Sequence, residues 1–319
     1  MKIRIFTVVV LLCGSMSAGA QGEQHEKAFA HLDVAVTAGS TGLGLDLEAP
    51  VSDVLRLRTG FAFMPSIHYN MTFGVQVGDD PSTSASKFDR LSSMLSQLTG
   101  SKVDDSIDMI GRPTYSNFKL LLDVYPFRKK NWHFTAGFYW GKSEIADAYN
   151  TTEDMPSLFA VTMYNSIYDR IENYEPIIEI NGTGLYLDPA YEDKILNYGR
   201  MGINLGDYVV PDEDGNVRHY IMEPDENSMA KAKVKVNSFK PYLGFGYGGA
   251  LLKGDDRLKI SFDCGAMFWG GTPSVITHDG TDLAKDVTDV RGKVGRYVDI
   301  IKGFKVFPVL DLRISYRLF

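Results

Sequence analysis

The chain has 319 residues, 44% of them hydrophobic, with 31 Gly, 17 Tyr, 18 Phe and 3 Trp. That length allows one large domain or two ordinary ones, and so much glycine and aromatic content suits a β-rich protein better than a helical one. The formal charge of −7 is acidic enough to exclude nucleic acid as a partner.

Residues 1–20 have the three parts of a secretory signal. Lys2 and Arg4 precede an apolar run over 5–12, and Ala18-Gly19-Ala20 forms a small-residue cleavage site. Cleavage after Ala20 makes Gln21 the mature N-terminus and moves the charge from −7 to −9, since Lys2 and Arg4 leave. Cys13 is a poor lipidation site because Leu12 stands where a small residue is needed. The mature chain then keeps Cys264 as its one cysteine and forms no internal disulfide. No later apolar run is long enough for a spanning helix, so membrane entry would have to use strands.

In chain order, period-two alternation predicts a first strand with Leu32, Val34 and Val36 against Asp33 and Thr37. A second sets Leu43, Leu45 and Leu47 against Gly44, Asp46 and Glu48, and a third sets Leu55, Leu57, Phe61 and Phe63 against Arg56, Arg58, Gly60 and Ala62. A helix is predicted over 86–98, with Phe88, Leu91, Leu95 and Leu98 on one stripe. The fourth strand sets Phe118, Leu120, Leu122 and Val124 against Lys119 and Asp123, with Leu121 as an exception. The fifth carries Trp132, Phe134, Ala136, Phe138 and Trp140 on one face and His133, Thr135, Gly137 and Tyr139 on the other.

Residues 142–235 hold 18 acids against 8 bases and are too long for an unstructured loop. They read as an inserted acidic cap, with a helix over 157–171 and a hairpin pairing 208–210 with 217–220 around the turn at 211–216. Nine tyrosines lie there, either as an exposed recognition surface for a glycan, protein or cation, or as the cap's own small core. The sixth strand offers Phe239, Leu243, Phe245 and Tyr247 against Lys240, Tyr242, Gly244 and Gly246. The seventh sets Leu258, Ile260, Phe262, Cys264, Ala266 and Phe268 against Lys259, Ser261, Asp263 and Gly265. A second amphipathic helix is predicted over 282–301. The last strand alternates Leu310, Leu312, Ile314, Tyr316 and Leu318 with Asp311, Arg313, Ser315 and Arg317.

Which face turns inward follows from volume and charge. An eight-stranded barrel has an interior only just wide enough for side chains. The apolar face carries nearly every strand Trp and Phe and would not fit there. The other face combines glycines with six acids (Asp33, Asp46, Glu48, Asp123, Asp263, Asp311) and six bases (Arg56, Arg58, Lys119, Lys259, Arg313, Arg317). Such a set pairs internally, whereas each Arg or Lys turned to lipid would cost about 2–4 kcal/mol. Trp132 and Trp140, eight residues apart on the apolar face, span roughly 27 Å of strand, close to the spacing of two aromatic girdles after tilt.

The signal, the eight alternating strands, the tight turns, the long intervening loops and the Tyr316-Arg317-Leu318-Phe319 end together resemble the small outer-membrane β-barrels of Gram-negative bacteria, of the outer-membrane protein A transmembrane-domain type. The resemblance implies an all-β, antiparallel up-and-down transmembrane barrel of about eight strands, with long partly helical loops. It also implies outer-membrane lipids as partners, short turns toward the periplasm, long loops outside and a lumen plugged by side chains.

Chemical motifs are thin. Asp212-Glu213-Asp214-Gly215-Asn216 opens like a calcium loop but lacks the distal bidentate Glu, and Asp-Gly is ordinary turn chemistry. Gly42-x-Gly44 is strand glycine with no helix or third Gly after it. His68 and His133 have no recognisable Ser and acid beside them. The sequence therefore names no catalytic, cofactor or metal residue. It predicts a non-enzymatic outer-membrane protein with a structural or surface-binding role. The alternatives are a wider barrel with an open transport lumen, if 182–187 or 201–210 join the wall, a membrane-embedded lipid hydrolase, and a secreted soluble binding protein.

Overall fold

The computed structural model describes residues 28–78, 81–100, 102–127, 131–252 and 255–319. The predicted signal at 1–20 lies outside the described residues, as do residues 128–130 and 253–254 of the predicted turns. No helix among the described residues is long and apolar enough to cross a membrane.

Eight strands form the wall: β1 (Asp33–Gly39), β2 (Gly42–Ser52), β3 (Leu55–Phe63), β4 (Ser116–Val124), β5 (Trp132–Gly141), β6 (Phe239–Leu252), β7 (Asp255–Phe268) and β8 (Val306–Arg317). Each pairs antiparallel with the next, and β8 pairs with β1, so the sheet closes. Segments 182–187 and 201–210 are not in this wall, which removes the wider barrel. Both lie in the cap, where Met201–Tyr208 is held by neighbouring cap strands.

The faces fall as charge and volume require. Phe61 is 64% and Trp140 60% exposed on the outside, while Asp46 at 0% and Arg58 at 3% are sealed within. The acids and bases meet across the lumen. Arg58 donates to Asp123 at 2.9 Å and to Asp263 at 3.1 Å, Arg313 donates to Glu48 at 2.6 Å, and Lys119 lies 2.8 Å from Asp46. The inner face is not polar throughout. Toward the end that carries the long connections it changes to Tyr115, Leu121, Tyr139, Tyr242, Met267 and Trp269, a buried apolar cluster that closes the mouth. Leu121, the break in the alternation of β4, is part of that cluster. The Tyr242 ring lies so close over Gly244 and Gly265 that a Cβ at either position would occupy its place.

The three long connections, β3 to β4, β5 to β6 and β7 to β8, leave the barrel at the same end and fold together. Their strands Tyr69–Gly74, Ser106–Pro113, Glu144–Asn150, Lys231–Lys235 and Ser274–Thr277 pair in that order into a five-stranded antiparallel sheet. This repeats the order of β3 to β7, so that part of the wall continues past the rim as a half-shell. Segment 142–235 thus shares its sheet with both other connections. A smaller sheet of Met201–Tyr208, His219–Met222 and Val287–Thr288, joined by Gln76–Val77, faces it.

Among the described residues four helices complete the cap: α1 (Pro81–Thr99), α2 (Met155–Glu172), α3 (Pro189–Tyr198) and α4 (Gly292–Gly303). The predicted helices at 86–98 and 157–171 are present as α1 and α2. In α3 the Asp188 carboxylate caps the first turn by accepting from the Ala190 N–H at 2.9 Å, and Pro189 fits the N1 position. The helix predicted over 282–301 forms only from Gly292. Asp289 and Gly292 adopt positive φ, and Val287 pairs with Tyr208 as a strand, so the apolar stripe reaches the same core by two different backbones. The predicted hairpin also shifts. Its strands are Met201–Tyr208 and His219–Met222, while Val209, Val210 and Val217 stay exposed in the turn.

Candidate functional site

The half-shell leaves space under it because of what its inner face carries. Across the strands, Tyr69, Gly111, Ala148, Ala232 and Thr277 lie opposite one another, and beside them runs a row of Pro113, Ala146, Val234 and Val275. Glycine and alanine in the middle of those rows cannot reach the opposing wall. That wall is made by Ile203, Leu205 and Met222 of the smaller sheet, by Leu283, and by Val294, Tyr297, Val298 and Ile301 of α4. Between them is a cavity of about 490 Å³, completed by Met64, Met71, Phe73 and Met109. This is within the usual size range of a small-molecule site.

Met64, the first residue beyond β3, lines this cavity and also packs against the apolar cluster that closes the barrel, so the cavity sits directly on the seal. Its charged lining is one pair. Arg112 donates twice to the Asp147 carboxylate, at 2.8 and 2.9 Å, and Asp147 holds the guanidinium pKa above its ordinary value. With those charges satisfied by each other, what remains on offer is apolar and polarisable surface from methionine, branched aliphatic and aromatic side chains.

The other sequence candidates are scattered. In the 212–216 loop the Asp212 carboxylate accepts the N–H groups of Asp214 and Asn216 at 3.0 and 2.7 Å, which is turn geometry. His133 is buried in the lumen 2.6 Å from Asp263, and nearby Ser261 accepts from Arg313 rather than from His133. His68 is exposed between β3 and the cap. The nine cap tyrosines divide between both readings. Tyr164 and Tyr220 are buried in the cap core, whereas Tyr174, Tyr186 and Tyr191 are exposed.

A second cleft runs past Tyr168 and Tyr208, but Arg200 lies over the first ring at 5.6 Å and Arg218 over the second at 4.6 Å, so both stacking faces are occupied. Arg200 is itself held by Asp169 and Glu223. Sequence reasoning did not find the apolar cavity. The available signal was the small residues at 146, 148 and 232, which have meaning only once their strands are aligned.

A closed eight-stranded barrel with an apolar outer face, an ion-paired lumen and a folded cap defines the class of this protein as a membrane-type β-barrel. The sequence matches no family model and no curated protein. Among solved structures it is similar to CarO2 of Acinetobacter baumannii, with 14% identity, 92% of this chain and 100% of that one covered, and a TM-score of 0.38. CarO of the same organism gives 13%, 91%, 99% and 0.38, and a major outer membrane protein of Thermus thermophilus gives 12%, 92%, 100% and 0.27. At such identity and overlap these likenesses assign no role to this chain.

Proposed function

We propose that this chain is a non-enzymatic outer-membrane barrel whose external cap binds a small apolar ligand. The observation that carries the reading is the half-open cavity of about 490 Å³ lined by aliphatic, methionine and aromatic side chains directly above the barrel seal. A cavity of that character is poorly hydrated, so an apolar guest enters without displacing well-bonded water. Outer-membrane placement is supported by the outward belt, since Phe61, Phe134, Trp140 and Phe245 have no cover other than lipid. The aromatic seal and the ion-paired layer beneath it block the lumen at the cap end, while a polar cavity of about 410 Å³ lined by Glu48, Arg56, His133 and Arg313 lies at the other end; the blocked end favours binding over transport.

The test is equilibrium binding of the apolar fluorophore N-phenylnaphthylamine to the protein in lipid nanodiscs, against empty nanodiscs. Ala148→Leu and Ala232→Leu, opposite each other in the cavity wall, are expected to weaken binding by at least about tenfold while preserving the fold. Filled variants that bind as well as the natural chain would sink the reading.

A further inference from the structure

Independently of the cavity, we propose that the small hairpin of Ile178–Ile180 and Thr183–Leu185 is a docking element for a cationic, amphipathic polypeptide. The hairpin turns through Asn181 and Gly182, whose φ values of 52° and 80° suit a primed turn. Ile178 lies opposite Leu185 and Ile180 opposite Thr183, so these four share one face, with Glu179 and Gly184 on the other.

The opposite face is covered at Gly184, where a Cβ would meet Pro176 and Tyr186, while Glu179 on that face is exposed. The apolar face is not. Ile178 is 50%, Ile180 62% and Leu185 59% exposed. Tyr174 and Tyr191 stand exposed nearby in the sequence. Among the described residues no third strand joins this pair, leaving backbone edges free to receive one. A two-stranded ribbon with a bare apolar face is marginal in water, and a partner would complete it.

Charge selects the partner. Residues 172–193 contain Glu172, Glu175, Glu179, Asp188, Glu192 and Asp193 and no Lys or Arg. The preceding base, Arg170, is turned back onto the Pro176 carbonyl at 2.8 Å. An apolar patch carried by a segment with six acids, the next base being Lys194, disfavours a second copy of itself and an anionic lipid surface. It complements a chain that alternates apolar and basic residues, which is steered in by charge and held by apolar contact.

The test uses the full chain in nanodiscs and a fluorescent synthetic peptide of alternating Lys and Leu, with an alternating Glu and Leu peptide as control. Only the cationic peptide is expected to bind. Replacing Ile178, Ile180 and Leu185 together by Ser, on side chains already exposed, should weaken it by at least about tenfold with the near-ultraviolet circular dichroism of the cap unchanged. Glu172→Gln, Glu175→Gln and Glu179→Gln together should weaken it and flatten its salt dependence. Equal binding of the two peptides, or undiminished binding by the serine variant, would overturn the proposal. So would a membrane or a second copy as the true occupant, read without peptide as co-flotation of the nanodisc-held protein with phosphatidylglycerol vesicles or as a dimer, either of them abolished by the serine variant.

Discussion

Arg58 shows how single residues hold the lumen. It reaches Asp123 on β4 and Asp263 on β7, while Arg313 on β8 reaches Glu48 on β2, and His133 on β5 shares Asp263. Removing one member leaves carboxylates buried with too few partners, which typically costs about 3–5 kcal/mol. Arg58→Met should therefore lower the temperature at which the unboiled electrophoretic form converts to the boiled one, and adding Asp123→Leu should recover part of the loss. In the cap, burial works to raise the carboxyl pKa of Asp225, Asp279 and Asp282. For Asp225, Lys231 and backbone N–H groups outweigh it; for Asp279 the hydroxyls of Thr277 and Tyr220 and the Thr281 N–H do so; for Asp282 the donors are Ser274, Lys285 and backbone N–H groups. All three end below the ordinary value. A depressed carboxyl contributes stability that is fully present above the unfolded pKa of about 3.9 and is lost as pH falls through the folded values. The cap should accordingly become protease-sensitive on acidification from neutral pH to below about pH 4, which limited proteolysis measures.

At the scale of elements, the apolar stripes of α1 and α2 do not lie on the lipid surface or on the barrel. They pack into one cap core, in which Phe88, Leu91 and Leu95 of α1 join Leu158 and Val161 of α2, and this core is separate from the cluster at the barrel mouth. Leu95 is fully buried there, so Leu95→Ala should destabilise the cap by about 2–5 kcal/mol. Thermal unfolding followed by near-ultraviolet circular dichroism should show the cap transition shifted and the barrel's heat-modifiability unchanged. The hairpin at 178–185 contributes to neither core, which is why its loss of apolar surface is tolerable.

For the molecule as a whole, the three tryptophans report orientation. Trp132 and Trp140 face outward near the two ends of β5, and Trp269 is buried at the mouth, stacked on Phe307 at a centroid distance of 5.2 Å. In single-tryptophan variants, brominated lipids should quench Trp132 and Trp140 and leave Trp269 bright; quenching of Trp269 alone would invert the barrel. Liposomes carrying the protein should not swell in small sugars, because the seal blocks the lumen at the cap end. Gly265→Val, which displaces the Tyr242 ring, should raise that permeability.

The wall was legible strand by strand because alternation is a local signal. Whichever partner a strand takes, Leu45 and Asp46 must point to opposite faces, and six acids matched by six bases must face each other. Pairing partners between distant connections are not encoded locally. Nothing within residues 144–150 marks Ala148 as lying between Gly111 and Ala232, so the cavity those small residues create was invisible until the strands were aligned. The 282–301 stripe failed as a helix for a related reason. Its apolar spacing satisfies a core from a helix or from a strand and turn, and the positive φ at Asp289 and Gly292 selects the second for its first half. The sequence by itself determined eight alternating strands and which side chains share a face, since period-two alternation is local and unpaired charge is costly; that the sheet closes on those eight, with 182–187 and 201–210 outside it, was decided by the strand pairing. Only the tertiary structure decided the apolar cavity, the seal beneath it and the bare hairpin face, because each depends on which strands from far-apart connections come to lie side by side.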